Sequence, residues 1–242
     1  MDINQAFKFS NKIVLITGGS DGLGYGMATA FLDAGATVHV TGTKTQDQYD
    51  KDYSDMTFHQ LNVINEREVQ ALARQFSELD VLVNSVGAVL YKKQEFERAG
   101  FEKVLTINLI GVMDLCTSLL PAIQSRKGNI INIDSAASIR PSSSVPAYSA
   151  SKAGLKHLTK SLAQRWGRKG VRVNGISPGL IPTKMTANQT SDEEQEKQFA
   201  AMCPLGRFGE IDEVAGSALF LASPMASYIT GHSIVIDGGI SI

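Results

Sequence analysis

The chain has 242 residues, 43% hydrophobic and 19% charged, which is ordinary for a globular protein. Its formal net charge of -1 excludes a strongly basic surface for nucleic acid or anionic lipid. Cys116 and Cys203 match no metal-ligand spacing, so we expect reduced thiols in a cytoplasmic protein and no metal site. The polar N-terminus lacks the apolar segment of a signal peptide, and no apolar run approaches about 18 residues, so no membrane-spanning helix is expected.

Short runs rich in β-branched residues alternate along the chain with longer amphipathic runs. The short runs predict strands at 12–17, 37–42, 57–63, 79–87, 128–135, 171–179 and 232–239. The longer runs predict helices at 22–35, 65–77, 95–124, 147–168 and 210–222.

This alternation predicts one α/β domain over residues 1–242, with an N-terminal arm at 1–10. We expect a doubly wound Rossmann-type fold of about seven parallel strands with helices on both faces. The segment from Gly42 to Thr57 is short for a full crossover, so its helix is expected to shrink to a turn or two.

The glycine-rich stretch TGGSDGLG, residues 17–24, follows the first predicted strand and opens the first helix. Glycine permits a tight turn and close approach to a phosphate, and the helix N-terminus adds free N–H groups. After the first strand of a parallel sheet, this pattern favours a dinucleotide site. The cofactor contacts predicted here are Gly18, Ser20, Asp21, Gly22, Leu23 and Gly24.

The tip of the second strand bears on which nicotinamide cofactor is bound. A carboxylate there hydrogen-bonds the ribose hydroxyls and repels a 2′-phosphate, but this chain has Gly42, Thr43 and Lys44. The missing acid and the added hydroxyl and cation favour NADP(H) over NAD(H). Asp21 in the glycine turn and the acidic residues of 47–52 argue for NAD(H), which stays an alternative.

The stretch PAYSASK, residues 146–152, places a phenol and an ammonium on one face of a predicted helix, about one turn apart. A phenol with a pKa of about 10 is a poor base near neutral pH, and a nearby ammonium favours the phenolate. By itself this spacing is more typical of a half-buried tyrosine beside a solvated lysine, so its meaning depends on the rest of the chain.

The chain resembles the short-chain dehydrogenase/reductase family over residues 13–239, including its β-ketoacyl carrier-protein reductase members. Ser135 precedes Tyr148 by 13 residues and Lys152 follows it by four, as in that family. The motifs that carry the resemblance are TGGSDGLG (17–24), NSVG (84–87), INLIG (107–111), IINIDS (130–135), YSASK (148–152), NGISPGLIPT (174–183) and VIDGG (235–239).

The resemblance implies hydride transfer between a nicotinamide cofactor and a ketone, aldehyde or secondary alcohol. Tyr148 is then the acid and base, and Lys152 lowers its pKa and holds the nicotinamide ribose. Ser135 would bind the substrate oxygen, and Asn108 would position a water that links Lys152 to solvent. Besides Tyr148 and Lys152, the further cofactor contacts implied are Asn62, Val63, Asn84, Ser85, Val86, Gly87, Pro178, Gly179, Ile181 and Thr183.

Three positions depart from the family's pattern. Val86 replaces a small alanine near the adenosine, and Asn62 stands where an aspartate often contacts adenine. Asp134 precedes Ser135 where a hydroxyl or small residue is common. Its carboxylate would either raise the pKa of Tyr148 or hold Ser135.

Substrate selection is expected from loops at the carboxyl ends of the strands, where residues 180–205 are predicted to form a lid. Within it, the acidic amphipathic segment 191–202 suits either a helical lid or a solvated surface helix. The cluster Tyr91-Lys92-Lys93 would favour an acidic substrate such as a sugar acid, unless its lysines are simply solvated.

Two alternative functions remain open at this point. Similar β-ketoacyl-[acyl-carrier-protein] reductases dock an acidic partner near positions matching Arg126-Lys127 and Arg168-Lys169, so such a reductase is one alternative. A non-catalytic nicotinamide-binding sensor is the other, although it would have no need of the full Asn, Ser, Tyr and Lys set. The resemblance also implies a homotetramer, or a dimer, packed through the 95–124 and 147–168 helices and the C-terminal segment.

Overall fold

The computed structural model describes residues 3–189 and 193–242. Its seven strands form one parallel sheet in the order β3-β2-β1-β4-β5-β6-β7. The strands are β1 Ile13–Thr17, β2 Thr37–Gly42, β3 Thr57–Gln60, β4 Val81–Asn84, β5 Asn129–Ile133, β6 Arg172–Pro178 and β7 Ser233–Ile236. The strand order reverses between β1 and β4, and a doubly wound sheet opens a ligand crevice at such a reversal.

Helices cover both faces of this sheet, which confirms the predicted Rossmann-type α/β domain with seven parallel strands. They are α1 Ile3–Ala6, α2 Gly22–Asp33, α3 Glu66–Ala73, α4 Arg98–Leu105, α5 Gly111–Ser125, α6 Pro146–Trp166, α7 Glu193–Ala201 and α8 Ile211–Ala222.

The two faces of the sheet belong to two separate hydrophobic clusters. Val14 and Ile16 of β1 pack with Phe31 in the cluster under α2 and α8. Leu15, between them, packs with Leu115 in the cluster under α3, α5 and α6. All five side chains are buried. Because neighbouring residues of a strand point to opposite faces, a strand in a sheet that is covered on both sides must be apolar at successive positions, as β1 is at Val14, Leu15 and Ile16.

The structure differs from the predicted elements mainly at their ends. β3 stops at Gln60 rather than at residue 63, and the connection before it contains only the 3-10 turn Gln46–Gln48, as its length suggested. The helix predicted at 95–124 is divided into α4 and α5 by a π-helical turn, Thr106–Ile110. Such turns are rare and frequently lie at functional sites.

Among the described residues, one helical run, Arg98–Ser125, is long and apolar enough to cross a membrane by length and composition. The sequence predicted no membrane-spanning helix. In the fold, Leu115, Leu119 and Ile123 of this run are buried against the sheet. Core helices meet the same criterion, so length and composition alone do not make this helix a membrane span.

The two segments predicted as accessory parts, the N-terminal arm at 1–10 and the lid at 180–205, are both partly regular. In the N-terminal arm, Phe9 is buried and its ring meets Phe31 edge-on, with ring centroids 5.1 Å apart. In the predicted lid, the 3-10 turn Lys184–Gln189 precedes α7, while residues 190–192 lie outside the described part of the chain. Residues 1 and 2 of the arm also lie outside it. A lid function for 180–205 stays a prediction.

Candidate active site

A cleft of about 470 Å³ opens at the carboxyl ends of the strands, where the strand order reverses. Most of the predicted site residues meet there, drawn from the tips of β1 to β6, the start of α6 and the segment after β6. Those in its lining are Gly18, Ser20, Asp21, Gly22, Leu23, Gly24, Gly42, Thr43, Asn62, Val63, Ser85, Val86, Gly87, Ser135, Tyr148, Lys152, Pro178, Gly179, Ile181 and Thr183.

Lys44, Asn84 and Asn108 were predicted site residues but do not line the cleft. Lys44 is exposed, and Asn84 is buried inside the sheet. The Asn84 side-chain amide donates to Asn132 Oδ1 at 2.9 Å and to Cys116 Sγ at 3.2 Å. These bonds give Asn84 a structural place between β4, β5 and α5.

The cleft also contains residues that were not among the predicted catalytic or cofactor-binding residues, although Asp134 was expected to act on Tyr148 or Ser135. They are Thr41, Leu61, Ala88, Ile107, Ile133, Asp134, Lys184, Met185 and Thr186. Thr41 and Ile133 could have been predicted to line the cleft, since each lies near the carboxyl end of a predicted strand. The Lys184–Thr186 segment directly continues the predicted contact Thr183 and shows no motif of its own.

The glycine turn between β1 and α2 needs its glycines for steric reasons. Gly18 has φ +70°, and a Cβ there would lie 2.9 Å from the backbone of Ser85. A Cβ at Gly24 would lie 2.1 Å from the carbonyl oxygen of Gly18. The turn therefore holds two backbone segments in contact beside the N-terminus of α2, where its unpaired N–H groups favour an anion.

Asp21 caps α2 by accepting the N–H of Gly22 at 2.8 Å, and its other oxygen pairs with Lys184. Burial raises the pKa of Asp21, but the hydrogen bonds from Lys184 and Gly22 outweigh this and hold the pKa below its usual value. The negative charge of Asp21, which was expected to disfavour a 2′-phosphate, is therefore offset by the ammonium of Lys184.

Several donors converge at the tip of β2, on the hydroxyl of Tyr49. The backbone N–H of Lys44 donates to Tyr49 Oη at 3.1 Å, and the side chains of Ser20 and Thr43 lie near the same phenol and favour its charged form. Burial raises the pKa of Tyr49, but these interactions prevail and lower it. A Cβ at Gly42 would lie 2.7 Å from Tyr49 Oη, so only glycine leaves room for the ring here.

Tyr148 and Lys152 lie one turn apart at the start of α6, which begins with Pro146 at its first position. Lys152 is 3% exposed, and its Nζ donates to the carbonyl oxygen of Ile133 at 2.7 Å. The same ammonium lies 5.8 Å from the centroid of the Tyr148 ring. The spacing in the sequence thus places a cation next to a phenol at the cleft wall.

Burial shifts the pKa of both Tyr148 and Lys152 in the direction that favours the neutral form of the side chain. Desolvation raises the pKa of Tyr148 to about 12, although one edge of the ring still faces the cleft, and a hydrogen bond with Ser135 acts against the rise. Desolvation also lowers the pKa of Lys152 to about 8, while the negative charge of Asp134 acts against the fall. In this state the phenol is protonated and suited to donate a proton.

Asn108 lies in the π-helical turn and is completely buried. Its Oδ1 accepts the N–H of Ala88 at 2.8 Å, and its Nδ2 donates to the Ala88 carbonyl at 2.9 Å and to Ser151 Oγ at 3.0 Å. These bonds fix the loop after β4 to α6, on which Lys152 lies. The role of Asn108 in positioning a water that links Lys152 to solvent stays a prediction.

Glu95 is a buried carboxylate at the active site that the sequence analysis missed. It is 0% exposed, and its two oxygens accept the backbone N–H groups of Leu90 and Tyr148, each at 2.9 Å. The second bond satisfies a free donor of the first turn of α6. The polar surroundings of Glu95 in the sequence, KKQEFER, gave no sign that it would be buried.

The segment after β6 reaches across both lips of the cleft. Tyr91 Oη donates to the carbonyl oxygen of Met185 at 2.7 Å, and Lys184 pairs with Asp21 on the other side. Met185 Cε lies 3.6 Å from where a side chain at Gly87 would begin. The segment is thus joined to the loop after β4 and to the glycine turn.

No group of three or more His, Cys, Asp or Glu residues suited to a metal ion occurs within 3–189 and 193–242. The cleft brings the glycine turn together with Ser135, Tyr148 and Lys152.

Comparison with known proteins gives consistent similarities over the whole chain. The family described as "Enoyl-(Acyl carrier protein) reductase" matches residues 18–241. The 3-oxoacyl-[acyl-carrier-protein] reductase of Chlamydia muridarum is 35% identical over 96% of this chain and 98% of its own length. The 2-dehydro-3-deoxy-D-gluconate 5-dehydrogenase of Bacillus subtilis is 34% identical over 98% of this chain and 97% of its own.

Solved structures agree with these sequence matches. The RhlG/NADP active-site complex from Pseudomonas aeruginosa has a TM-score of 0.90 and 30% identity, and the match covers 98% of this chain and 99% of that one. A gluconate 5-dehydrogenase from Burkholderia cenocepacia, in complex with NADP and tartrate, has a TM-score of 0.90 and 25% identity, with 98% of each chain covered.

Proposed function

Since the chain belongs to the short-chain dehydrogenase/reductase family and is a nicotinamide-dependent oxidoreductase acting on C–OH and C=O groups, we propose that it reduces a small-molecule ketone or aldehyde with NADPH, with Tyr148 as the acid. The observation that carries the proposal is the meeting of Ser135, Tyr148 and Lys152 in the cleft that the glycine turn borders. In the reverse direction Tyr148 is the base.

The residues present fit a nicotinamide dinucleotide. Side chains at Gly18 and Gly24 would close the turn where a pyrophosphate approaches the N-terminus of α2. In the segment that begins at the end of β6, Pro178, Gly179, Ile181 and Thr183 are the residues that would hold the nicotinamide. When bound, the cofactor supplies or accepts the hydride.

The chain's own residues handle the proton and the substrate oxygen. Ser135 would hydrogen-bond that oxygen, and the Tyr148 phenol, protonated near neutral pH, would donate its proton to it. In alcohol oxidation Tyr148 must instead take a proton, and the ammonium of Lys152 stabilises the phenolate that does so. Burial of both groups strengthens this electrostatic coupling.

A preference for NADP(H) is supported by the groups near the tip of β2. Ser20, Thr43 and the backbone N–H of Lys44 are hydrogen-bond donors suited to a 2′-phosphate. The ion pair with Lys184 offsets the charge of Asp21, which would otherwise repel that phosphate. A direct test is to titrate the protein with NADPH and with NADH and follow the nicotinamide emission. Tenfold tighter NADPH binding, about 1.4 kcal/mol, is expected, and equal or tighter NADH binding would contradict the preference.

The substrate class is proposed as a small polyhydroxy acid, like that in the names of the gluconate-type relatives. The alternative is a 3-oxoacyl thioester, by similarity to the Chlamydia muridarum reductase. In that alternative Arg126 would receive an acidic carrier, but it is already paired with Glu78 and Asp80, both at 3.5 Å. This favours the small-molecule substrate.

The experiment for the reaction itself compares the wild type with Tyr148→Phe and, as a matched control, Tyr228→Phe, whose ring is fully exposed. NADPH oxidation is followed with 5-dehydrogluconate, 2-dehydro-3-deoxygluconate and acetoacetyl thioester. Tyr148→Phe should lose at least about 100-fold in kcat and still bind NADPH, while the control keeps wild-type rates. Equal turnover by Tyr148→Phe would disprove the role of the phenol. Turnover of the thioester alone would select the alternative substrate.

We also propose a homotetramer located in the cytoplasm. The family resemblance supports packing through α4, α5 and α6, and this region exposes the large apolar residues Phe96 and Ile110. Sedimentation at micromolar concentration tests it. A monomer would contradict the assembly, and Ile110→Lys should weaken it if this face is buried in the tetramer.

A further inference from the structure

We infer that Asp134 is a positioning residue whose fixed negative charge sets the proton affinity of the Tyr148–Lys152 pair and so favours the carbonyl-reducing direction. The inference rests on the proposed function, because it assigns a role within the same reaction. Asp134 lines the cleft between β5 and the catalytic serine, where the sequence analysis found a departure from the family's pattern.

The carboxylate of Asp134 is held on every side by donors. It is 2% exposed, and Oδ1 accepts the N–H of Ser135 at 2.7 Å, the hydroxyl of Ser138 at 3.2 Å and the hydroxyl of Ser177. Oδ2 accepts the hydroxyl of Ser233 at 2.9 Å. An ionised carboxylate is an acceptor only, and this set of donors matches that form.

Two strands and one turn supply these donors, so the charge has little freedom to move. Ser177 belongs to β6, Ser233 to β7 and Ser138 to the 3-10 turn after β5. A Cβ at Gly175 would lie 2.8 Å from Asp134 Oδ2, so the sheet leaves space for the carboxylate only because that residue is glycine. The sequence left two roles open for Asp134, holding Ser135 or acting on Tyr148. In the structure Asp134 accepts the N–H of Ser135 and also places a negative charge near Tyr148.

The titratable groups around this charge lie on α6 and on the loop after β4. From α6, Tyr148 and Lys152 both interact with Asp134, and Lys156 reaches it through Ser177, with Nζ 3.5 Å from Ser177 Oγ. From the loop, Glu95 and Tyr91 act on Tyr148 in the same direction as Asp134, so three groups resist formation of the phenolate.

A negative charge raises the proton affinity of every group near it, and removing the charge lowers each apparent pKa of a coupled pair. Asp134 therefore keeps the Tyr148 phenol protonated, as a proton donor requires. It also keeps Lys152 charged in a buried place, where desolvation favours the neutral amine. The first effect favours reduction near neutral pH and moves alcohol oxidation to higher pH, while the second keeps the ammonium that stabilises the phenolate during oxidation.

The test compares wild type, Asp134→Asn and Ser138→Ala. The first variant removes the charge at nearly constant shape, and the second removes one hydrogen bond and keeps the charge. Profiles of kcat/KM against pH are measured for NADPH-dependent reduction of 5-dehydrogluconate, or whichever probe of the earlier panel turns over, and for oxidation of the product. In Asp134→Asn the fall of the reduction rate at high pH and the rise of the oxidation rate with pH should both shift down by about one pH unit. In Ser138→Ala it should not move.

An unchanged midpoint in Asp134→Asn, with a normal melting temperature and normal NADPH binding, would overturn the inference while leaving the proposed function standing. If Asp134→Asn does not fold, Asp134→Ser, which carries the small hydroxyl residue common in the family, takes its place.

A measurement independent of turnover separates the two proposals. The alkaline rise of tyrosinate absorbance is recorded for each protein and for its Tyr148→Phe counterpart, and the difference gives the titration of Tyr148. The titration should move to lower pH without Asp134. A titration at the same pH in both backgrounds would refute the role of Asp134 even if no probe is turned over, whereas absent turnover by the wild type bears on the proposed function.

Discussion

Glu95 and Tyr148 are joined by a buried hydrogen bond between a carboxylate and the backbone of the proposed catalytic residue. Glu95 Oε2 accepts the N–H of Tyr148 at 2.9 Å, and Oε1 accepts the N–H of Leu90 at the same distance. One side chain therefore fixes the start of α6 relative to the loop after β4. The position of the phenol depends on this contact as well as on the helix that carries it.

Glu95→Gln replaces one acceptor oxygen by an NH2 group that must face a backbone N–H. Leaving a buried donor without a partner costs about 1–3 kcal/mol, so the melting temperature should fall by several degrees. We expect kcat to fall about tenfold with a smaller change in KM, because the phenol rather than the binding surface is displaced.

Glu97→Gln is the matched control for this change, since Glu97 lies two residues away and is exposed. It should keep both kcat and melting temperature. A Glu95→Gln enzyme with wild-type kcat and lowered stability would mean that the contact serves folding alone.

Tyr49→Phe tests whether the phenol at the tip of β2 competes with the cofactor. Its hydroxyl accepts the backbone N–H of Lys44 and lies near Ser20 and Thr43, and we propose that these three groups receive the 2′-phosphate. Removing the hydroxyl should tighten NADPH binding severalfold and leave NADH binding unchanged, because only NADPH carries the added phosphate. The dissociation constants are measured by nicotinamide emission.

Tyr25→Phe is the control, because Tyr25 Oη donates to the carbonyl oxygen of Asp52 and contacts Tyr53 rather than the donors at β2. It should alter neither constant. Weaker NADPH binding in Tyr49→Phe would show instead that the phenol itself binds the phosphate.

Lys184→Gln tests the cation that the sequence analysis did not assign. Lys184 is 82% exposed, so its pair with Asp21 should contribute little to stability, and the melting temperature should hardly change. Without it the charge of Asp21 faces the cofactor, and NADPH should bind three- to tenfold more weakly, with a smaller effect on NADH. Lys169→Gln, an exposed lysine of the turn after α6, serves as the comparison. A loss equal for both cofactors would place Lys184 near the pyrophosphate instead.

The sequence predicted what depends on local pattern. The apolar runs predicted all seven strands, and the glycine turn and the Tyr148–Lys152 spacing each lie within one turn or one helix, so neighbouring residues are enough to recognise them. Glu95 and Tyr148 are 53 positions apart, and Tyr91 and Met185 are 94 apart. Such contacts depend on how distant loops meet, which periodicity does not encode.

Lys44 shows the same limit in a single residue. The prediction from the strand tip named its side chain, whereas in the fold only its backbone N–H turns toward Tyr49. The cation beside the glycine turn comes instead from Lys184, after β6. A cation near the glycine turn can thus come from a segment that is distant in the sequence.

Lys152 should lower the stability of the protein without cofactor, because its ammonium is buried. Burial lowers its pKa from 10.5 to about 8, so between these values the unfolded chain binds the proton and the folded chain does not. Stability therefore rises with pH across this window, and the full cost of the buried charge is present below pH 8. One pKa unit corresponds to about 1.4 kcal/mol, so the cost is on the order of 3 kcal/mol.

Lys152→Met removes this charge at similar length but leaves the Ile133 carbonyl without its donor. We expect a net gain of about 2 kcal/mol at pH 7, once the lost hydrogen bond of about 1 kcal/mol is counted, together with loss of turnover. Denaturant unfolding at pH 7, 8, 9 and 10 should show a rise for the wild type that the variant lacks. Parallel pH dependence in both proteins would mean that Lys152 has the same pKa in the folded and the unfolded chain, so its ammonium is not desolvated, and this result would remove the basis for its electrostatic role.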